Sequence, residues 1–279
     1  MIPFDFKYYR PETLEEAIEL YREVKKQGAK PMYYGGGTEF ISMARMHNVY
    51  SDAIIDIKGI PECNVHEIRD DRLYLGAALT LTQIAELNFF PLLSLTIERI
   101  ADHTIQGKIT LGGNLAGTII YREAILPLLV AESNVVLAGY SGIHTVPLKD
   151  VFQEKLLLSE GDMILQVIVG KEFLSLPYFH VKRTKYEKID YPLITASALQ
   201  KNKNIQIAFS GLCDSPFRSI LVEEILNNGD YSFQEKIRRV LENIPAPILE
   251  DVSGSSEYRK FVVQQILQDV LKRFEVSHP

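Results

Sequence analysis

Two glycine-rich segments are the parts of this sequence best suited to binding a ligand. The first, Gly35-Gly36-Gly37-Thr38, follows an apolar stretch typical of a strand and precedes a helical one. Because glycine has no Cβ, its backbone can turn so that N–H groups converge at a helix start and bind an anion. The pattern is neither GxGxxG nor GxxxxGK[ST], so Rossmann and P-loop sites are unsupported. It fits a phosphate site, and equally a tight turn without a ligand.

The second segment runs from Thr110 to Thr118 and contains Gly112-Gly113-Asn114. Its glycines, hydroxyl groups and side-chain amide form a mixture of donors suited to a pyrophosphate and its attached sugar. Alone, it could equally be a loop beneath a packed helix. Two such segments, 75 positions apart (35 to 110), favour a single ligand that carries two phosphates.

The pattern of apolar residues predicts an α+β protein in two units, with a boundary near residue 170. Thr13 and Glu16 form a capping box for the first helix, and Thr80 and Gln83 can cap a later one. The second unit contains three predicted strands, a helix capped by Ser215, and a long last helix. The predicted strands are 30–34, 53–57, 72–77, 134–138, 163–169, 178–185, 194–199 and 205–210.

Composition excludes several classes of function. The chain has 279 residues and a net charge of −6, so it has no basic field that would attract nucleic acid. We expect no membrane span, no signal peptide and a cytoplasmic location. The only cysteines, Cys63 and Cys213, lie far apart and cannot hold an iron–sulfur cluster by themselves. The histidines are dispersed, so we predict neither a metal site nor a catalytic base or nucleophile.

Five stretches of the chain resemble a known family. Tyr34-Gly35-Gly36-Gly37-Thr38-Glu39-Phe40 is similar to its AGGTDL segment, and Thr110-Leu111-Gly112-Gly113-Asn114-Leu115-Ala116 to its TIGGNLA segment. The family is the FAD-binding, or medium, subunit of molybdenum hydroxylases such as xanthine dehydrogenase and carbon monoxide dehydrogenase. The likeness covers nearly the whole chain. The other matching stretches are 53–62 (LIDLSRIPEL in the family), 73–77 (LRIGA) and 256–259 (Ser-x-Tyr-Arg).

The resemblance implies a fold, a cofactor and partners. Residues 1–170 would form a two-part FAD-binding domain of the PCMH, vanillyl-alcohol-oxidase-like type, divided near residue 58. Residues 171–279 would form a C-terminal α+β domain with a three-stranded antiparallel sheet. The substrate would be oxidised on a molybdopterin-binding large subunit. Electrons would then pass through a [2Fe–2S] subunit to FAD, and from FAD to NAD or another acceptor. Two alternatives are a self-contained vanillyl-alcohol-oxidase-type enzyme and a non-redox phosphate-binding scaffold.

The resemblance also implies cofactor-binding residues. Thr38 would donate to the pyrophosphate, Glu123 would hold the adenosine ribose in place of the family's aspartate, and Lys182 would lie near the flavin. Ile164 would pack on the isoalloxazine ring. Lys182 could equally be a solvated strand lysine, and Ile164 plain core. The full predicted set is Tyr34, Gly35, Gly36, Gly37, Thr38, Glu39, Phe40, Thr110, Gly113, Asn114, Glu123, Ile164 and Lys182.

Two further departures from the family pattern bear on partners. Thr104-Ile105-Gln106-Gly107 stands where Gln-Ile-Arg-Asn is common. The loop 185–188 lacks the arginine that is common after the flavin lysine. Because of both changes, the contacts to a partner subunit or a nicotinamide acceptor stay undecided. Neither change affects the two glycine segments expected to bind phosphate.

Overall fold

A small parallel sheet begins the chain in the computed structural model, which describes residues 2–186 and 189–275. Its strands are ordered β1-β3-β2. Thr13 caps the first helix, although the carboxylate of Glu16 accepts from the amide of Glu12 rather than closing the predicted box. The elements are β1 (Lys7–Tyr9), α1 (Leu14–Lys26), β2 (Pro31–Tyr34), α2 (Thr38–Arg45) and β3 (Ala53–Asp56).

A five-stranded antiparallel sheet follows, in the order β4-β5-β8-β6-β7. The central strand β8 is buried along nearly its whole length, and apolar residues of several short helices share its core. The capping box of Thr80 and Gln83 is present as predicted. The strands are β4 (His66–Arg69), β5 (Arg72–Gly76), β6 (Asn134–Gly139), β7 (Gly142–Pro147) and β8 (Met163–Gly170). The helices are α3 (Leu81–Leu87), α4 (Pro91–Ile97), α5 (His103–Gln106), α6 (Leu111–Ala116), α7 (Ile125–Val130) and α8 (Leu148–Val151).

The C-terminal part is a second antiparallel sheet, β12-β11-β10-β9, packed against three helices. The predicted three strands are present, and a short fourth strand adds to their edge. The elements are β9 (Tyr178–Thr184), β10 (Pro192–Lys201), β11 (Asn204–Ser210), β12 (Phe217–Arg218), α9 (Ile220–Asn227), α10 (Phe233–Glu242) and α11 (Ser256–Glu275).

The helix predicted to be capped by Ser215 begins later than expected. Phe217 and Arg218 pair with β11 instead, and Ser219 caps α9 by accepting from the amide of Val222. Arg218 also forms an ion pair with Glu223, which stabilises the extended conformation just before the helix. The prediction of a helix start at Ser215 is therefore wrong, because a tertiary strand pairing overrides the local Ser-Pro signal.

Two apolar cores form, one around the five-stranded sheet and one between the C-terminal sheet and its helices. Leu199 and Ala208 of the C-terminal sheet pack with the first core, so this sheet has apolar contacts on both faces. Among the residues that the structure describes, no helix has the length and apolar character needed to span a bilayer.

Candidate functional site

The two glycine segments are in direct contact. The amide of Gly36 donates a hydrogen bond of 3.3 Å to Oγ1 of Thr110, 74 positions further along the chain. A Cβ on Gly36 would lie 1.8 Å from the carbonyl oxygen of Lys108, and one on Gly35 would lie 2.5 Å from Thr110 Oγ1. Only glycine permits this approach, so the first two glycines of the segment serve the junction itself.

The first segment ends in an uncapped helix. Gly37 adopts the left-handed conformation with φ of 69° and, as the N-cap of α2, offers no side chain to the first amides of that helix. Such amides point out of the helix start and favour an anion. A Cβ on Gly37 would lie 2.2 Å from the ring of Tyr34, whose neighbour Phe40 packs edge-on against it at 6.3 Å. This half of the site has donors available for a phosphate.

The second segment differs from the expectation that it too points amides at a phosphate. Thr110 caps α6 by accepting from the amide of Gly113 at 3.2 Å, and the amide of Asn114 bonds to the Thr110 carbonyl. The amides of Leu111 and Gly112 bond to the carbonyl oxygens of Leu79 and Ala77. These amides complete the fold in the described residues, and the predicted roles of Thr110, Gly113 and Asn114 toward the cofactor stay predictions. What it does offer is Asn114 Oδ1, which is buried without a partner among the described residues.

Glu39 connects the two segments a second time. Its Oε1 accepts from the backbone amide of Thr118 at 2.7 Å and from the Thr118 hydroxyl at 2.5 Å. These bonds place a carboxylate beside a site expected to bind an anion. Because both hydrogen-bond donors belong to Thr118, the carboxylate of Glu39 forms a structural link between α2 and the loop after α6.

Glu123 and Lys182 form a buried ion pair. Lys182 Nζ lies 2.9 Å from Glu123 Oε2, and their side chains are 1% and 5% exposed. Lys182 also donates to the Arg99 carbonyl at 2.7 Å, and Thr195 donates to the second Glu123 oxygen at 2.6 Å. Burial raises the pKa of Glu123, against the opposing effects of Lys182 and Thr195. The structure thus brings two predicted cofactor contacts together, each with its polar atoms used inside the protein, and their roles toward the ribose and the flavin stay predictions.

Ile164 lies in β8 opposite Leu137 and is buried in the first core. Its predicted contact with the isoalloxazine ring stays a prediction. Residues 187 and 188 of the loop after Lys182 lie outside the described part of the chain.

Sequence reasoning missed Lys58, whose ammonium lies on the first glycine segment. Lys58 Nζ donates to the Gly35 carbonyl at 2.8 Å and lies 4.7 Å from the centroid of the Tyr34 ring. A signal for it does exist in the sequence. Lys58 follows the end of β3, which is parallel to β2, and the carboxyl ends of parallel neighbours share an edge of the sheet.

Arg122 is a second residue that sequence reasoning did not select. It is 3% exposed and its guanidinium donates to the carbonyl oxygens of Gly117 and Glu154. Burial lowers the pKa of Arg122, with the charge of Glu39 opposing. It borders a cleft next to the Glu39–Thr118 link, lined by Thr118, Arg122, Glu154, Lys155, Asp214 and Ser215.

A family model described as the FAD binding domain in molybdopterin dehydrogenase matches residues 4–171. The chain belongs to this family. Its cofactor is therefore FAD, and the residues present fit that group. The uncapped amides of α2 suit the diphosphate, and the orphan Oδ1 of Asn114 can accept from a ribityl or ribose hydroxyl.

Relatives of this FAD-binding family extend over most of the chain. The glyceraldehyde dehydrogenase medium chain of Sulfolobus acidocaldarius is 24% identical over 98% of this chain and 99% of its own. The carbon monoxide dehydrogenase medium chain of Hydrogenophaga pseudoflava is 26% identical over 61% of this chain and 60% of its own. The resemblance read from the sequence is therefore confirmed.

Solved structures confirm the predicted fold of this family member. A carbon monoxide dehydrogenase chain from Hydrogenophaga pseudoflava superposes with a TM-score of 0.85 at 21% identity, and 99% of each chain is covered. A chain of quinoline 2-oxidoreductase from Pseudomonas putida 86 gives 0.84 at 19% identity, again with 99% of each chain covered. The likeness includes the C-terminal sheet and helices as well as the FAD-binding domain.

Proposed function

We propose that this chain is the FAD-binding electron-transfer subunit of a molybdenum hydroxylase of the xanthine dehydrogenase type. The observation that carries the proposal is the junction of Gly36 with Thr110 beside the uncapped start of α2, in a chain of the FAD-binding family. A relative that matches over nearly its full length is itself called a medium chain. Membership of the FAD-binding family favours this function over a non-redox phosphate-binding scaffold.

The proposal divides the work among parts of the chain. Residues 1–170, in two parts that meet near residue 58, hold FAD, and residues 171–279 form the second domain. The amides of α2 and the hydroxyl of Thr38 bind the diphosphate, and Asn114 accepts from a sugar hydroxyl. Ile164 packs on the isoalloxazine ring and Lys182 stabilises negative charge near it. Bound FAD supplies chemistry that no side chain has, since it can take electrons singly and give up two.

The partners in this proposal are a [2Fe–2S] subunit, which delivers electrons, and a molybdopterin-binding large subunit, which oxidises the substrate. The acceptor is NAD or another oxidant. Buried free Cys63 and Cys213 favour a reducing compartment, so a cytoplasmic location is part of the proposal.

Affinity purification of the tagged chain from its native source tests this function. We expect FAD absorbance, two co-purifying chains, iron and molybdenum in the complex, and no substrate oxidation by the chain alone. Reduction of the flavin by the iron–sulfur partner would be followed by stopped-flow absorbance, with NAD and a one-electron acceptor compared in separate runs. A chain that oxidises an alcohol or aldehyde by itself would instead support the self-contained oxidase, and a colourless chain that binds no added FAD would support the scaffold.

A further inference from the structure

The residues predicted to contact the diphosphate carry no positive charge. Lysine and arginine are absent from Tyr34–Phe40 and from Thr110, Gly113 and Asn114, while Glu39 adds a carboxylate. The whole chain has a net charge of −6. The α2 amides favour an anion but contribute only partial positive charge, which leaves most of the charge of a diphosphate unbalanced. A cation from elsewhere in the chain would balance it.

Lys58 is a cation in contact with this site. Its Nζ donates to the carbonyl of Gly35, the first glycine of the segment, at 2.8 Å. The ammonium also lies over the Tyr34 ring, whose neighbouring residues form the turn into α2. The Lys58 side chain is 38% exposed, so a ligand can reach it.

Asp56 fixes the position of this ammonium. Its Oδ2 forms the ion pair with Lys58 Nζ at 2.7 Å, and its Oδ1 accepts from the Lys58 amide at 3.0 Å. The Tyr8 hydroxyl donates to the same carboxylate, which is itself 2% exposed. An ammonium has three donors, and Asp56 and Gly35 take two of them. No hydrogen-bond acceptor for the third is found among the described residues, where the ammonium also lies over the Tyr34 ring.

We propose that Lys58 supplies the positive charge that faces the FAD diphosphate, and that Asp56 is the residue that positions it. This inference rests on the proposed function. Lys58 stands where the family segment has serine, and Gly59 stands where that segment has arginine. Lys58 was not among the residues predicted to contact the cofactor.

Binding measurements on the full chain test the inference, with FAD and with ADP, which carries the diphosphate but no flavin. We expect Lys58→Met to weaken both ligands about tenfold at low salt, and Lys58→Arg to retain binding. The loss should shrink as sodium chloride rises, because salt screens a half-exposed charge. Lys171→Met is the control for the loss of one charge, since Lys171 also pairs with an aspartate (Asp71, at 2.8 Å), here an exposed one.

Circular dichroism and thermal melting would check the folding of each variant. If Lys58→Met is unfolded, Lys58→Gln replaces it, because glutamine can still donate to the Gly35 carbonyl. Binding by the neutral Lys58 variant that equals that of Lys171→Met would overturn the inference. A loss that is independent of salt would also overturn it, since that result indicates a structural role. A wild-type chain that binds neither ligand would instead contradict the proposed function, and the inference with it.

Discussion

The amide of Gly36 and the hydroxyl of Thr110 are joined by a hydrogen bond of 3.3 Å that connects the two glycine segments. The same hydroxyl oxygen accepts from the amide of Gly113 at 3.2 Å and so caps α6. One buried oxygen therefore orders both halves of the site. The position of the α2 amides relative to Asn114 depends on it.

Replacing Thr110 with valine should affect folding and FAD binding together. Valine has nearly the same shape but no hydroxyl, so the cap of α6 and the bond to Gly36 are both lost. We expect a loss of about 1–2 kcal/mol in the free energy of unfolding and a several-fold weaker affinity for FAD. Urea unfolding and fluorescence titration would measure these quantities. Thr110→Ser should restore both, and equal FAD affinity in the valine and wild-type chains would contradict the role given to this oxygen.

Arg259 explains the Ser-x-Tyr-Arg signature as a structural feature. The side chain is 0% exposed, donates to the carbonyl oxygens of Leu193 and Gly211, and pairs with Asp251 at 2.7 Å. Arg259→Met should lower the free energy of unfolding by about 3 kcal/mol, because the two buried carbonyl oxygens lose their donor. Urea denaturation checks this, with Arg238→Met on the exposed face of α10 as the control that changes stability little. Equal losses in the two variants would contradict it.

The buried pair of Glu123 and Lys182 predicts strong coupling in a double-mutant cycle. Glu123→Gln and Lys182→Met should each cost about 3 kcal/mol, because each leaves a buried group without its partner. The double variant should cost clearly less than the sum of the two. Additive losses in urea unfolding would show that the pair is not coupled.

The same variants separate stability from a role toward the flavin. If Lys182 stabilises negative charge on the reduced cofactor, Lys182→Met should lower the flavin reduction potential and change the rate of reoxidation. Spectroelectrochemical titration and stopped-flow mixing with the acceptor would measure both. A potential and rate that match wild type in a folded Lys182→Met chain would remove Lys182 from the flavin site and leave it a structural residue.

Stability should fall in acid because of His180. Burial lowers the pKa of this imidazole to about 4, assisted by the charges of Arg99 and Lys182, from an ordinary value of 6.5. Its Nδ1 contacts the hydroxyls of Thr96 and Ser197, and its Nε2 is buried without a partner among the described residues. The unfolded chain takes up the proton first, so stability is intact above about pH 6.5 and declines toward pH 4, by roughly 3 kcal/mol.

His180→Gln should flatten this decline, although not abolish it, since burial also lowers the pKa of His66. Chemical unfolding at intervals from pH 7 to pH 4 gives the two curves. Parallel curves for wild type and variant would show that His180 does not titrate across this window.

Local patterns predicted much of the fold. The glycine turns, the Thr80 capping box and the strands of the two antiparallel sheets depend on neighbouring residues, and these predictions agree with the structure. The exceptions are short or mostly exposed segments. β1 has three residues and pairs only with a distant strand, and β4 and β7 are largely exposed, so none of these three has a strong apolar signal. β12 has two residues, and its pairing with β11 displaced the predicted helix start.

In the candidate site too, local composition predicted the segments but not the contacts between them. The sequence located both glycine segments because their composition is unusual, but it could not show that Thr110 caps its own helix and leaves the donors to α2. The position of Lys58 after a strand parallel to β2 indicates the edge of the sheet where it lies, but its contact with Gly35 and the pairing of Glu123 with Lys182 join residues that are distant in sequence. Such contacts follow from packing, which no local pattern specifies.

Titration of FAD into the purified chain and into Gly36→Ala tests the central claim most directly. A Cβ at position 36 would meet the Lys108 carbonyl at 1.8 Å, whereas Gly229 has no atom within 4 Å of such a Cβ, so Gly229→Ala is the matched control. We expect one FAD per chain for wild type and Gly229→Ala, and at least tenfold weaker binding for a folded Gly36→Ala. Undiminished FAD binding by Gly36→Ala would contradict the claim that the junction of the two glycine segments positions the α2 amides that hold the diphosphate.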